Sequence, residues 1–307
     1  MADNNRSRRQ GRVRLAVQLI FTALSNGYLV GFTQGKIFTG GTKAYCVPGL
    51  NCYSCPGALG ACPIGALQAV LGSRNYKVSF YMLGFFMIIG AFFGRIVCGW
   101  LCPFGLIQDL FHRLPFPWKV RRLPGERWLR KLKYLVLALF VIALPLTVVD
   151  VVGQGQPWFC KYICPSGTLT AGIPLVIANE GLRSAIGPLF SWKVFVLAVV
   201  VLVSLAVPRP FCRYLCPLGA VYGLFNPLSL YRLKVDQAAC ISCGACQRAC
   251  PMDIPVNETP NSPECIRCGA CKAACPVSCI SSPQLGGNPR PAGKAEVKNG
   301  RKSLQNP

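Results

Sequence analysis

Apolar and polar positions along the chain fall into long blocks. Residues 13–31, 78–97, 134–152 and 190–207 are nearly unbroken apolar runs. Each approaches the roughly 20 residues with which a helix crosses a bilayer. The first run lacks a small-x-small cleavage site and is followed by three more, so it reads as an uncleaved anchor rather than a signal peptide. Residues 236–280 contain no such run and are dense in Cys and Pro. Residues 281–307 are rich in Gly, Pro, Lys and Asn and predict a disordered basic tail. The pattern predicts an all-α polytopic membrane protein with four transmembrane helices, followed by a small α+β domain.

Charge orients the spans. Residues 1–12 form a basic N-terminus, with Arg6, Arg8, Arg9 and Arg12. The stretch after the second span carries Arg113, Lys119, Arg121, Arg122, Arg127, Arg130, Lys131 and Lys133 against the single acid Glu126. The segment 153–189 has only Lys161 and Arg183 as cations. The positive-inside rule then places the N-terminus in the cytoplasm, and four spans return the chain there. The first outer loop opposes this weakly, with Lys36, Lys43, Arg74 and Lys77 and no acid. The formal charge of +23 thus follows from topology, and nucleic acid is not an expected partner. Metal-bound thiolates would reduce the excess further.

The membrane region, residues 13–235, contains two similar halves, 13–110 and 133–225. The first has "ACPIGAL" (61–67), then a span, then "RIVCGWLCPFGLI" (95–107). The second has "YICPSGTL" (162–169), then a span, then "RPFCRYLCPLGAV" (209–221). Repeated halves commonly build one site at their interface. Pro103 and Pro217 disfavour helix at the preceding cysteine and suit the first turn of a new helix. Each Cys-x3-Cys-Pro therefore predicts a broken helix, with a short amphipathic or re-entrant helix after it. Cys98, Cys102, Cys212 and Cys216 become four soft ligands at the cytoplasmic ends of spans two and four. A [4Fe–4S] cluster is the natural occupant, with zinc or copper as the other soft-ligand choices.

Nineteen cysteines, many in Cys-x-x-Cys runs, point to metal ligation rather than a disulfide framework. "CISCGACQRACP" (240–251) and "CIRCGACKAACP" (265–276) both read Cys-x2-Cys-x2-Cys-x3-Cys-Pro. In this bacterial two-cluster ferredoxin run the fourth cysteine ligates the other cluster. The assignment is Cys240, Cys243, Cys246 and Cys275 for one [4Fe–4S], and Cys265, Cys268, Cys271 and Cys250 for the other. Structural zinc also uses Cys-x2-Cys, but in isolated pairs. Cys279 is left as a packed thiol. On the outer face Cys46, Cys52, Cys55, Cys62, Cys160 and Cys164 exceed one four-ligand site by two. The choice taken is Cys55, Cys62, Cys160 and Cys164, a fourth metal centre, with Cys46 and Cys52 as the alternatives to Cys55. Two leftover thiols on an oxidising face could pair.

Absences narrow the chemistry. His112 is the only histidine, so one chain cannot supply a bis-histidine haem. There is no Walker A or dinucleotide-binding glycine motif, and no nucleophile–base–acid set. Asp150, Asp109 and His112 lie near the cysteines, where each is either a proton carrier or an ordinary interfacial group.

The motifs "CGWLCPFG", "CRYLCPLG" and the two ferredoxin runs together resemble the polytopic membrane polyferredoxins of the NapH/MauN type, related to the C-terminal region of the nitrous-oxide-reductase accessory protein NosR. The resemblance covers about residues 10–280. It implies an inner-membrane electron carrier, with N-terminus and ferredoxin domain cytoplasmic, passing electrons between the quinone pool or a cytoplasmic donor and a partner redox protein. Quinol dehydrogenation is the enzymatic version of that role. The alternative is an accessory factor supplying electrons for assembly or activation of another metalloenzyme. The outer segments "NCYSCPGALGACPIGAL" and "CKYICPSG" depart from the family pattern and add cysteine motifs to it.

Overall fold

A computed structural model describes residues 2–73, 80–151 and 153–282. The expected tail from 283 onward, together with Arg74, Lys77 and Val152, lies outside these residues. The fold is mainly helical. Among the described residues a single antiparallel strand pair, Lys234–Val235 with Ile280–Ser281, closes the ends of the Cys-rich domain on each other.

Apolar runs become helices, but not four uninterrupted ones. Among the described residues one helix, Pro188–Ala206, is long and apolar enough to cross a membrane; the apolar helices Phe80–Phe93 and Pro165–Ala178 are shorter. The reasons are local. Phe80–Phe93 ends at Gly94, which takes the left-handed φ of 54°. The third run starts inside Glu126–Val136, widens into a π-helix over Leu137–Ala143 and resumes at Leu144–Thr147. Pro145 follows that widened turn. A helical proline lacks an N–H and crowds the carbonyl four residues back, and a π-turn relieves both. The same device precedes Pro174, with π-helix over Thr168–Gly172. All four segments still turn large apolar side chains outward, including Ile20, Leu24, Leu83, Ile88, Leu139, Phe195 and Leu202.

The basic N-terminus is not a separate arm. It forms the start of one helix, Ala2–Ser25, which packs against Pro103–Arg113 and reaches the Cys-rich domain. There Arg6 donates to the Ser278 hydroxyl (3.0 Å) and Gln10 to the Cys268 carbonyl (3.3 Å).

Four of the seven Cys-Pro steps share one geometry. Cys62, Cys102, Cys164 and Cys216 are extended, with φ between −70° and −75° and ψ between 107° and 128°, and each proline opens a helix. Three Cys-x3-Cys loops close identically. The N–H groups of the second cysteine and its predecessor share the carbonyl of Val97, Phe159 or Phe211, at 2.9–3.0 Å. Each of those residues immediately precedes the first cysteine of its loop.

Candidate metal centres

At the interface of the halves, Cys98 and Cys102 from one side meet Cys212 and Cys216 from the other. All four are 5–6 % exposed and face one another electrostatically. Their frame includes two arginines that the sequence reading overlooked. Arg95 stands three residues before Cys98 and donates to the Cys212 carbonyl (3.1 Å). Arg209 stands three residues before Cys212 and donates to the Cys98 carbonyl (2.5 Å). Both are fully buried. The repeated Arg-x2-Cys-x3-Cys-Pro was the available signal.

Each of these two arginines has an acid. Arg209 forks onto Asp109 at 2.6 and 2.7 Å, and Arg14 joins at 2.5 Å. Burial pushes the Asp109 carboxyl up, but Arg209 and Arg14 outweigh it and hold the group below the usual carboxylate range. Asp109 is thereby an anchor, not a free proton carrier. Arg95 bonds the Pro263 carbonyl (2.7 Å) and Glu264 (3.2 Å), and Glu264 also pairs with buried Lys133 at 2.5 Å. Burial raises the Glu264 carboxyl, yet Arg95 and Lys133 keep it ionised and lowered overall. Asp150 lies at the surface, bonded to Gln156 at 2.6 Å.

These contacts dock the Cys-rich domain on the inner set. Asn226 donates to the Ser262 and Cys265 carbonyls (2.9 and 2.8 Å) and accepts from the Arg95 N–H (2.9 Å). Trp100 donates to the Arg267 carbonyl at 3.1 Å. Arg121, Arg122 and Arg130 reach the Arg248 carbonyl, Asp253 and the Met252 carbonyl. Part of the basic stretch read as a topology signal therefore holds this domain.

Within the domain the two runs are near-copies. Left-handed backbone recurs at Ser242 and Arg267, Gly244 and Gly269, and Asp253 and Ser278. The two glycines let the chain wrap around each set of three thiols. Cys240, Cys243, Cys246 and Cys275 line one cavity. Cys250, Cys265, Cys268 and Cys271 face one another in a second group. The first set reaches the surface at exposed Cys243; Cys265, Cys268 and Cys271 are buried. Cys279 is buried, with its sulfur 3.4 Å from that of Cys275.

On the far side Cys52, Cys62, Cys160 and Cys164 face one another and line a cavity of about 850 Å³. Cys55 is not part of that lining. Its thiol turns away to Asn26 Oδ1 (3.8 Å), against Ala58 and Ala171. Ala58 occupies the place where the other three loops have their first cysteine, and Cys52 fills the gap from the preceding loop. Cys46 also lines the cavity, with its sulfur 3.6 Å from that of Met82. No disulfide joins any of the 19 cysteines.

The donor sets suit an iron–sulfur cluster. Each is four thiols without histidine or carboxylate. Burial pushes the Cys265 thiol up to about 12, so thiolates there are unfavourable unless a bound cationic centre stabilises them. A tetrahedral zinc with bonds of about 2.3 Å would draw sulfurs to about 3.8 Å. Among the described residues no group of three His, Cys, Asp or Glu side chains is arranged to hold a single metal ion.

Comparison with known proteins agrees. The chain matches a 4Fe-4S binding domain family over residues 78–125, 132–176 and 189–235, and a 4Fe-4S dicluster domain family over 232–276. An uncharacterised protein of Methanocaldococcus jannaschii is 31% identical over 171 residues, 54% of each chain. The methylamine utilization ferredoxin-type protein MauN of Paracoccus denitrificans is 30% identical over 54% of this chain and 50% of that one. The ferredoxin-type protein NapH of Haemophilus influenzae is 27% identical over the same shares, 54% and 50%. The chain spans about half the length of these curated relatives. No solved structure matches.

Proposed function

Since this chain belongs with the ferredoxin-type 4Fe-4S proteins of the NapH and MauN kind, we propose that it is a multi-pass membrane electron carrier whose cysteines hold four [4Fe–4S] clusters in series. Bound clusters supply one-electron storage at potentials set by burial and hydrogen bonds to sulfur. The ligand sets are Cys52, Cys62, Cys160 and Cys164; then Cys98, Cys102, Cys212 and Cys216; then Cys250, Cys265, Cys268 and Cys271; then Cys240, Cys243, Cys246 and Cys275. Four sets of four use 16 of the 19 cysteines.

The observation that carries this reading is how closely neighbouring sets are joined through backbone. A Cβ on Gly49, in the loop leading to Cys52, would lie 3.2 Å from the Cys102 Cα. A Cβ on Gly99, next to Cys98, would lie 2.3 Å from the Ile266 carbonyl oxygen and 3.7 Å from the Cys268 Cα. Buried Tyr222 stands between the outer and inner sets, among Cys62, Cys98 and Cys102. Electron tunnelling decays steeply with distance, and these approaches keep the outer-to-inner step and the step from the inner set to Cys268 short.

The chain's ends serve different partners in this reading. Exposed Cys243, beside exposed Ile241, meets a soluble redox protein on the cytoplasmic side. The outer cavity is shared with the Cys52, Cys62, Cys160 and Cys164 set, and a quinone headgroup is assigned to the part beside that set, bordered by Tyr81, Lys43 and Lys193. Outward apolar side chains on all four segments are covered by lipid. The test is anaerobic purification with iron and sulfide analysis, EPR of the reduced protein, and re-oxidation by a quinone analogue in vesicles. Four cubanes predict about 16 iron per chain. Iron for only the two ferredoxin sets refutes the series. Full iron without response to quinones refutes the quinone end and favours the accessory role.

A further inference from the structure

Two glutamines occupy matched places beside the inner and outer sets. "CPIGALQ" (62–68) and "CPFGLIQ" (102–108) each put a glutamine six residues after a cysteine, on helices Pro63–Leu71 and Pro103–Arg113. Gln68 is 0 % and Gln108 1 % exposed. Each amide reaches into the other half with both ends. Gln68 Nε2 donates to Cys160 Sγ (3.2 Å), and its Oε1 accepts the Phe159 N–H (3.0 Å). Gln108 Nε2 donates to Cys212 Sγ (3.1 Å), and its Oε1 accepts the Phe211 N–H (3.1 Å).

The amide orientation follows from chemistry. A backbone N–H can only be met by the oxygen end, which leaves the NH2 facing sulfur. Each NH2 also lies 3.3 Å from its own helix, at the Ile64 or Phe104 carbonyl, so both of its protons have acceptors. The arrangement runs one way. In the second half the equivalent positions are Thr170 and Tyr222, so each set has one sulfur, Cys160 or Cys212, singled out by a glutamine.

We propose that Gln68 and Gln108 are positioning residues that set the reduction potentials of the outer and inner centres through a hydrogen bond to one ligand sulfur each. This rests on the ligand sets proposed above. A donor to a thiolate sulfur stabilises the more negative, reduced state and raises the potential. The second bond, from the Phe159 or Phe211 N–H, fixes the amide so that the donor cannot swing away.

Redox-titrated EPR of Gln68→Leu and Gln108→Leu tests this on the full-length protein. Each variant should retain its iron and lower the midpoint of one centre, a different one in each. The expected shift is about tenfold in the oxidised-to-reduced ratio, or about 59 mV for a one-electron couple. The ferredoxin centres should not move. Should a leucine variant lose iron, the unaltered protein decides: after exchange into D2O, the proton couplings of the inner and outer centres should lose an exchangeable component. Unmoved midpoints at full iron, or couplings indifferent to D2O, overturn the inference and leave the ligand sets standing. Iron already short in the unaltered protein would instead bring down the ligand sets.

Discussion

Gly99→Ala isolates the junction between the repeated helical halves and the Cys-rich domain. Gly99 lies in the short helix Ile96–Trp100. By propensity alone, replacing a helical glycine with alanine stabilises by about 0.5–1 kcal/mol. Its surroundings predict the reverse. The new Cβ would stand 2.3 Å from the Ile266 carbonyl oxygen, about 1 Å inside ordinary contact. The neighbour is backbone, held by the Trp100 bond to the Arg267 carbonyl (3.1 Å) and the Asn226 bond to the Cys265 carbonyl (2.8 Å), so it yields only by moving the domain. Overpacking of that kind costs about 1–3 kcal/mol, which outweighs the propensity gain. Denaturant unfolding should show net loss of stability, and hydrogen exchange should rise in segments 262–268 and 95–101. Iron content should stay normal while electron transfer from the ferredoxin domain to the inner centre slows. A variant as stable as the parent, with unchanged transfer, would refute the close approach.

Four further outcomes follow. Glu264→Gln leaves fully buried Arg95 and Lys133 without their counter-ion, and should cost about 3–5 kcal/mol in unfolding measurements. Asp109, Asp253 and Glu264 are all held below their usual values because neighbouring cations outweigh burial; their stabilisation is present above the unfolded values of about 3.9 and 4.3 and is lost as pH falls through the lower folded ones, so melting temperature should drop on acidification below about pH 4. Cys98→Ser with Cys212→Ser should remove about four iron and spare the ferredoxin EPR signals. Cys52→Ser should remove the outer centre whereas Cys55→Ser should not, and equal iron loss in both would refute the placement of Cys52.

The sequence alone determined the chemistry of this protein, because iron–sulfur ligation is written in short-range spacing. The ferredoxin runs and the Cys-x3-Cys-Pro repeats bring their thiols together through local backbone: left-handed turns at Gly244 and Gly269, and an extended cysteine before each proline. Helix breaks were legible for the same reason, since proline acts on its immediate neighbours. What the tertiary structure decided was everything depending on the far half of the chain. Spacing could not choose between Cys52 and Cys55, because the choice turns on which thiol faces Cys160 and Cys164 about a hundred residues away. Nor could it show that Arg95 and Arg209 each bond the other half's cysteine carbonyl. The basic segment before the third apolar run carried a topology expectation in composition, but its contacts with Asp253 and Glu264 exist only once the Cys-rich domain has docked. Ligand type is a property of adjacent residues. Partner choice, charge compensation and the path between centres are properties of surfaces that meet only when the chain has folded.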